Sequence, residues 1–153
     1  MKILLVDPIP AAGAAIAGSL RDAIRHETLH ATSSDSALKV LEVQKDSIGI
    51  IVKFLDYGPE DGISFIQEVH EFSRIAAIRC PKVVLLTPGD LSASYESRFR
   101  SSGAECIVYG YPKQLRATVK RLMFESRCEN GKSTIVVDRR GGIPQFYVLG
   151  PAT

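Results

Sequence analysis

Apolar and polar residues alternate in blocks along this chain, and the period inside each block assigns an element. Lys2 to Asp7 encloses the run Ile3-Leu4-Leu5-Val6, a short continuous apolar stretch typical of a strand covered on both faces. From Ala11 to Arg25 the period changes: Ile16, Leu20, Ala23 and Ile24 recur at helical spacing, with Arg21, Asp22 and Arg25 elsewhere on the wheel. The two patterns then repeat. Thr28 to Thr32 reads as a strand, and Ser33, Ser34 and Asp35 offer an N-cap to a helix carrying Ala37, Leu38, Leu41 and Val43. Ile48 to Leu55 is the most strand-like run of all and is closed by turn residues from Tyr57 to Gly62. Ile63, Phe65, Ile66, Val69 and Phe72 predict a third helix, Lys82 to Thr87 a fourth strand, and Leu91 to Ser102 a more polar fourth helix. Ile107 to Tyr109 begins a fifth strand; after Pro112, the residues Leu115, Val119, Leu122 and Met123 mark a last amphipathic helix. Five short β-then-α units imply an α/β domain with a doubly wound parallel sheet and helices on both faces.

The remaining chain changes character. Ser133 to Asp138 and Ile143 to Leu149 flank Arg139-Arg140-Gly141-Gly142, a β-hairpin signal. The sequence therefore divides into a domain over residues 1–127 and a linker with a hairpin over 128–153, where an effector domain of a longer chain would begin. A two-stranded ribbon is marginal by itself, so this one calls for a partner sheet, a second copy of the chain or a further domain.

Composition narrows the class. With 45% hydrophobic and 24% charged residues among 153, the chain is neither intrinsically disordered nor an extended coiled coil. No apolar run approaches the roughly 20 residues of a membrane span, so no membrane partner is expected and the reading is a cytoplasmic protein. Cys80, Cys106 and Cys128 have no paired spacing and read as small buried hydrophobes in a reducing compartment. The net charge of +2 hides an asymmetry: residues 1–76 carry seven Lys or Arg against eleven Asp or Glu, and residues 77–153 carry twelve against six. The second half is thus the basic one, where an acidic partner or simply solvent would be met.

Several local patterns, in this order, resemble the receiver domain of bacterial response regulators over roughly residues 1–125. Lys2 to Asp7 is similar to the first strand with its terminal acid, Asp61-Gly62 to the Asp-Gly that opens the third helix, Thr87 to the hydroxyl ending the fourth strand, and Gly103-Ala104 to the Gly-Ala before the fifth. The resemblance implies a flavodoxin-like fold and a pocket at the carboxyl ends of the strands. There, paired acids and a phosphoacceptor Asp hold Mg²⁺ while a hydroxyl and a lysine bind the phosphoryl oxygens. Carried over position by position, Asp7 and Thr87 remain, but Pro8 replaces one of the paired acids. Phe54 stands eight residues before Gly62 at the phosphoacceptor position, and the lysine position falls on Gly110, or on Tyr111 with a one-residue insertion.

The resemblance thus leads to a degenerate receiver: a two-component signalling module rather than an enzyme, without cofactor or metal and independent of Asp phosphorylation. It would act through protein contacts, with homodimer contacts expected near Tyr109, Tyr111, Arg116 and Lys120. DNA would be reached only through an effector domain, with transcription regulation as the output. Two alternatives stand beside it. Asp56 shares strand parity with Phe54 and would serve as phosphoacceptor of a conventional receiver if the third strand ran two residues further. His26-Glu27-Thr28-Leu29-His30 matches the H-E-x-x-H pattern of zinc peptidases, whose mechanism needs all five residues on one helix.

Overall fold

In the computed structural model, residues 1–55, 59–87, 92–109, 113–131, 133–138 and 145–151 are described, with side chains to residue 125 except those of Ala23, Pro59, Cys106, Tyr109 and Lys113. Strands β1 (Lys2–Val6), β2 (Thr28–Ala31), β3 (Ile48–Phe54), β4 (Lys82–Thr87) and β5 (Cys106–Tyr109) form one sheet. Its order is β2-β1-β3-β4-β5 and every pairing is parallel. Helices α1 (Pro10–Ile24), α2 (Ser34–Gln44), α3 (Pro59–Ala76), α4 (Ala93–Ser102) and α5 (Lys113–Gly131) alternate with the strands. This is the α/β, doubly wound arrangement that the alternation of periods implied, in the flavodoxin-like form that the resemblance implied.

Alternation along each strand divides the core in two. Leu4, Val6, Ile51, Val83 and Leu85 face Ala37 and Leu41 of α2, Phe65, Ile66 and Val69 of α3, and Phe99 of α4. The intervening positions Ile3, Leu5, Ile50, Val52, Val84 and Leu86 face Ile16 and Leu20 of α1 and Leu115, Val119 and Leu122 of α5. Because both faces are covered, the middle of β1, β3 and β4 has no polar side, which explains the unbroken apolar runs.

Local chemistry sets the ends of the helices. Pro10 stands in the first turn of α1, where its missing N–H costs nothing. Ser33 caps α2 reciprocally with Ser36: each hydroxyl lies 3.1 Å from the other residue's backbone nitrogen. Helix α3 begins at Pro59 rather than at Ile63, so part of the expected turn is already helical; a proline followed by Glu60 and Asp61 suits a helix N-terminus. Ser92 accepts from the Tyr95 N–H and starts α4 at Ala93, while Leu91 lies outside the described residues.

Two sequence expectations are corrected. Val43 is 79% exposed, because on the α2 wheel it falls well away from Ala37 and Leu41. Cys80 is exposed rather than buried, since it follows α3 in the segment leading to β4.

The two Gly motifs have distinct physical causes. A Cβ on Gly62 would stand 2.5 Å from Leu55 Cδ2 and 3.0 Å from Phe99 Cε1, so glycine lets the first turns of α3 approach β3 and α4. Gly103 adopts φ +103° at the end of α4, donates to the carbonyls of Arg100 and Phe99, and lies under the His70 ring.

After α5, β6 (Ser133–Asp138) and β7 (Gln145–Pro151) pair antiparallel as a separate two-stranded sheet. Ile135 pairs with Val148 and Val137 with Phe146. Arg139 to Pro144, between the strands, lie outside the described residues.

Replacing Gly103 with Ala should destabilise the domain by about 1–2 kcal/mol, the cost of a left-handed residue with a Cβ. Urea denaturation checks this: the midpoint should fall while the slope stays constant.

Candidate functional site

Parallel strands bring their carboxyl ends to one rim, and register fixes who stands beside whom. Val6 pairs with Lys53, Phe54 with Leu86, and Thr87 with Tyr109. Asp7, Phe54, Thr87 and Tyr109 therefore follow one another across the rim of β1, β3, β4 and β5. This is where an open α/β sheet places its chemistry, and the expected pocket positions on described strands do gather there.

Their chemistry differs from one to the next. Asp7 is 1% exposed, and its carboxylate Oδ1 accepts the Ile9 N–H at 2.9 Å, closing the turn into α1. Its backbone is held on both sides: the Asp7 N–H donates to the Ala31 carbonyl, and its own carbonyl lies 2.9 Å from His30 Nε2. Pro8, half-buried, contributes neither a side-chain oxygen nor an N–H. Phe54 is half-buried and packs against the α1–α5 half of the core. Thr87 is buried at the end of β4. Asp56, Gly110 and Tyr111 lie outside the described residues, as does the side chain of Tyr109.

A magnesium site needs hard oxygen donors, usually from one or two carboxylates with phosphate and water. Among the described rim positions Asp7 supplies a carboxylate, whereas Pro8 and Phe54 supply nothing. No group of three or more His, Cys, Asp or Glu able to hold a metal ion occurs among the described residues. Among the described rim positions the donor set is a single carboxylate, already engaged by the Ile9 N–H.

The sequence reading missed the cation beside this rim. Lys53, one residue before Phe54, is 3% exposed; its Nζ lies 3.0 Å from Asp61 Oδ2 and 5.7 Å from the Phe65 ring centroid. Opposite parity sends it to the other face of the sheet from Phe54, beneath the first turn of α3. The signal was available: a lysine in an otherwise apolar central strand, eight residues before an aspartate. A buried ammonium needs a counter-charge, and Asp61, 37% exposed, provides it from the motif Asp61-Gly62.

A second charged tie lies nearer solvent. Arg98 on α4 forms a two-pronged ion pair with Glu60 on α3 at 2.6 and 3.0 Å, and its guanidinium lies 5.4 Å from the Tyr95 ring centroid. The hydrogen bond from Arg98 holds the Glu60 carboxyl below the usual glutamate range.

Of the expected interface residues, Arg116 is half-buried and donates to Ser19 Oγ on α1 at 3.0 Å, and Lys120 is exposed on α5. The zinc-peptidase reading is overturned. His26 and Glu27 lie in the connection after α1, and Thr28, Leu29 and His30 lie in β2, so the two histidines are not one helical turn apart. His30 is instead engaged with the Asp7 carbonyl.

No family model matches the chain, and no curated protein sequence matches it either. Solved structures do. The Vibrio cholerae chemotaxis protein CheY4 is 19% identical, with a TM-score of 0.65 over 79% of this chain and 97% of its own. An atypical orphan response regulator, described as revealing a phosphorylation-independent regulatory mechanism, is 15% identical with a TM-score of 0.64 over 81% and 96%. The receiver domain of the histidine kinase CKI1 from Arabidopsis thaliana, solved with Mg²⁺ and BeF₃⁻, is 14% identical with a TM-score of 0.66 over 80% and 89%.

Removing the counter-charge should cost more than removing the pair. Asp61→Asn leaves the Lys53 ammonium buried and is expected to lose about 1–3 kcal/mol, below the roughly 3–5 of a wholly buried pair because Asp61 reaches solvent; Lys53→Met with Asp61→Asn should recover part of the loss. Chemical denaturation of the three variants checks the order. For Glu60, a folded-state value below the ordinary one means that its contribution is complete above the ordinary glutamate range and disappears as pH falls through the lowered value. The thermal midpoint difference between wild type and Glu60→Gln should therefore shrink on acidification from neutrality, and shrink also with added salt.

Proposed function

We propose that the chain, which has the receiver-domain fold of the solved structures above, is a degenerate receiver that signals by protein contact and dimerisation, without phosphorylation of an aspartate. The observation that carries this reading is Phe54 at the position eight residues before Gly62, half-buried against the α1–α5 core. An aromatic ring there has no oxygen to accept a phosphoryl group and fills space that a charged pocket would need. Two further features support it. Pro8 stands next to Asp7 in place of a second acid, and the Asp7 carboxylate is already engaged by the Ile9 N–H. The orphan regulator of similar fold gives a precedent for control without phosphorylation.

With no phosphorylation to switch it, association in such a module is constitutive. The dimer face we propose is built from α4, β5 and α5, near Tyr109, Tyr111, Arg116 and Lys120. In this reading DNA is contacted only through an effector domain and not by the receiver-like domain itself. The competing reading, a conventional receiver using Asp56, falls on residues outside the described ones and is separated by experiment.

Incubation with acetyl phosphate and Mg²⁺ followed by intact-mass measurement is expected to leave the mass unchanged. A stoichiometric adduct of about 80 Da mapped to Asp56 or Asp7 would establish the conventional receiver instead. Sedimentation at high micromolar concentration should show a dimer. Lys120→Glu, placed at an exposed position and so reversed twice in a two-fold interface, should shift it to monomer. A monomeric wild type would remove the dimer from the proposal. Arg116→Glu is the poorer probe, because it also breaks the bond to Ser19 within the chain.

A further inference from the structure

Helices α2 and α3 leave a groove of about 580 Å³ between them, on the flank of the domain away from α5. Its apolar residues are Leu38 of α2 with Phe72 and Ile75 of α3. Ile75 is 71% exposed, an unusual position for an isoleucine on the outer side of a surface helix. The groove runs along α3 from Ser64 to Ile75, about 16 Å at 1.5 Å per residue, or three helical turns.

The rim is acidic. Glu68 and Glu71 line the α3 side, and Asp35 and Glu42, both exposed, fall on the same face of α2 as Leu38 by their spacing of three and four residues. Arg74 offsets Glu71 through a two-pronged pair at 2.6 and 3.2 Å, so the excess negative charge rests on Asp35, Glu42 and Glu68. Lys39 belongs to a different groove, with Val40 and Val43 beside β2.

A groove of this length, apolar at Leu38, Phe72 and Ile75 and polar along the rest of α3, with carboxylates lining it and close by on α2, matches one kind of occupant. We propose that the α2–α3 groove docks an amphipathic helix of a partner protein, one whose apolar ridge at helical spacing is flanked by Lys or Arg. The ridge would cover Leu38, Phe72 and Ile75 as helix-in-groove recognition does, and the flanking cations would meet Asp35, Glu42 and Glu68. Such charge complementarity acts chiefly on orientation and association rate, and it is weakened by salt. This surface is separate from the α4–β5–α5 face, and the proposal is independent of phosphorylation.

The test is an NMR titration of the ¹⁵N-labelled full chain with two synthetic helical peptides that share one leucine ridge, one flanked by Lys and the other by Glu. The Lys-flanked peptide should give saturable shifts confined to α2 and α3, and should bind at least about tenfold more tightly than its Glu-flanked counterpart. Ile75→Ser, at an exposed position that leaves folding intact, should weaken both peptides. Glu68→Lys should narrow or invert the preference between them. Equal binding of the two peptides, shifts mapping elsewhere, or no saturable shift would overturn the proposal. So would a dimer that Ile75→Ser converts to monomer without peptide, because the groove would then belong to a second copy of this chain.

Discussion

Strand β3 lies between β1 and β4 in a sheet covered on both sides, so whatever it projects has little access to water, and the rest of the domain is arranged around that restriction. Ile50, Ile51 and Val52 satisfy it simply, one face feeding the α1–α5 half of the core and the other the α2–α3–α4 half. Lys53 does not, and its charge has to be answered from the nearest element. Asp61 answers it from the first turn of α3. The pair ties the first turn of α3 to β3, and the glycine after the aspartate leaves room for that approach beside Leu55 and Phe99. With Lys53 directed to one face, the next residue, Phe54, is directed to the other, at the carboxyl-end rim of the sheet.

The helices on the two faces are joined in different ways. On the α3–α4 side the ties are ionic: Lys53 to Asp61 in the interior, and Glu60 to Arg98 at the surface. The first works in a medium that screens little, and the second in water, where much of its strength is lost to solvent and salt. On the α1–α5 side, Arg116 donates to a neutral hydroxyl on Ser19, a bond indifferent to acid over the range in which Glu60 titrates. Acid and salt should thus loosen one helical layer before the other.

The architecture was largely legible because its information lies in period. Runs such as Ile3 to Val6 and Val83 to Leu86 signal strands without polar faces, and Ile16 with Leu20 or Val119 with Leu122 signal one-sided helices. Element starts were less legible where the cue is shared between turn and helix. Pro59-Glu60-Asp61 reads equally as a closing turn and as a first helical turn, and only tertiary packing chooses. The rim positions were readable in identity and order, since each ends a strand. The Lys53–Asp61 pair was not legible, because parity alone does not reveal that the layer facing a central strand holds a carboxylate. Val43 is the opposite case: its apolar side chain suggests core, yet it lies away from the side of the helix that holds Ala37 and Leu41.

Helix α5 carries a mechanical implication. Among its described side chains, Leu115, Val119, Leu122 and Met123 seat it on the core, while the helix itself continues to Gly131 and the chain re-enters strand structure at Ser133. Beyond Met123 there are about two more turns, some 12 Å of helical rod at 1.5 Å per residue. A helical rod is a lever: a tilt of about 10° at Met123 would carry Gly131 through roughly 2 Å, a displacement of the size by which helices shift when proteins change state. Small adjustments in how α5 rests on the core would reach the start of β6 enlarged, so the fold possesses a way to transmit movement by leverage alone.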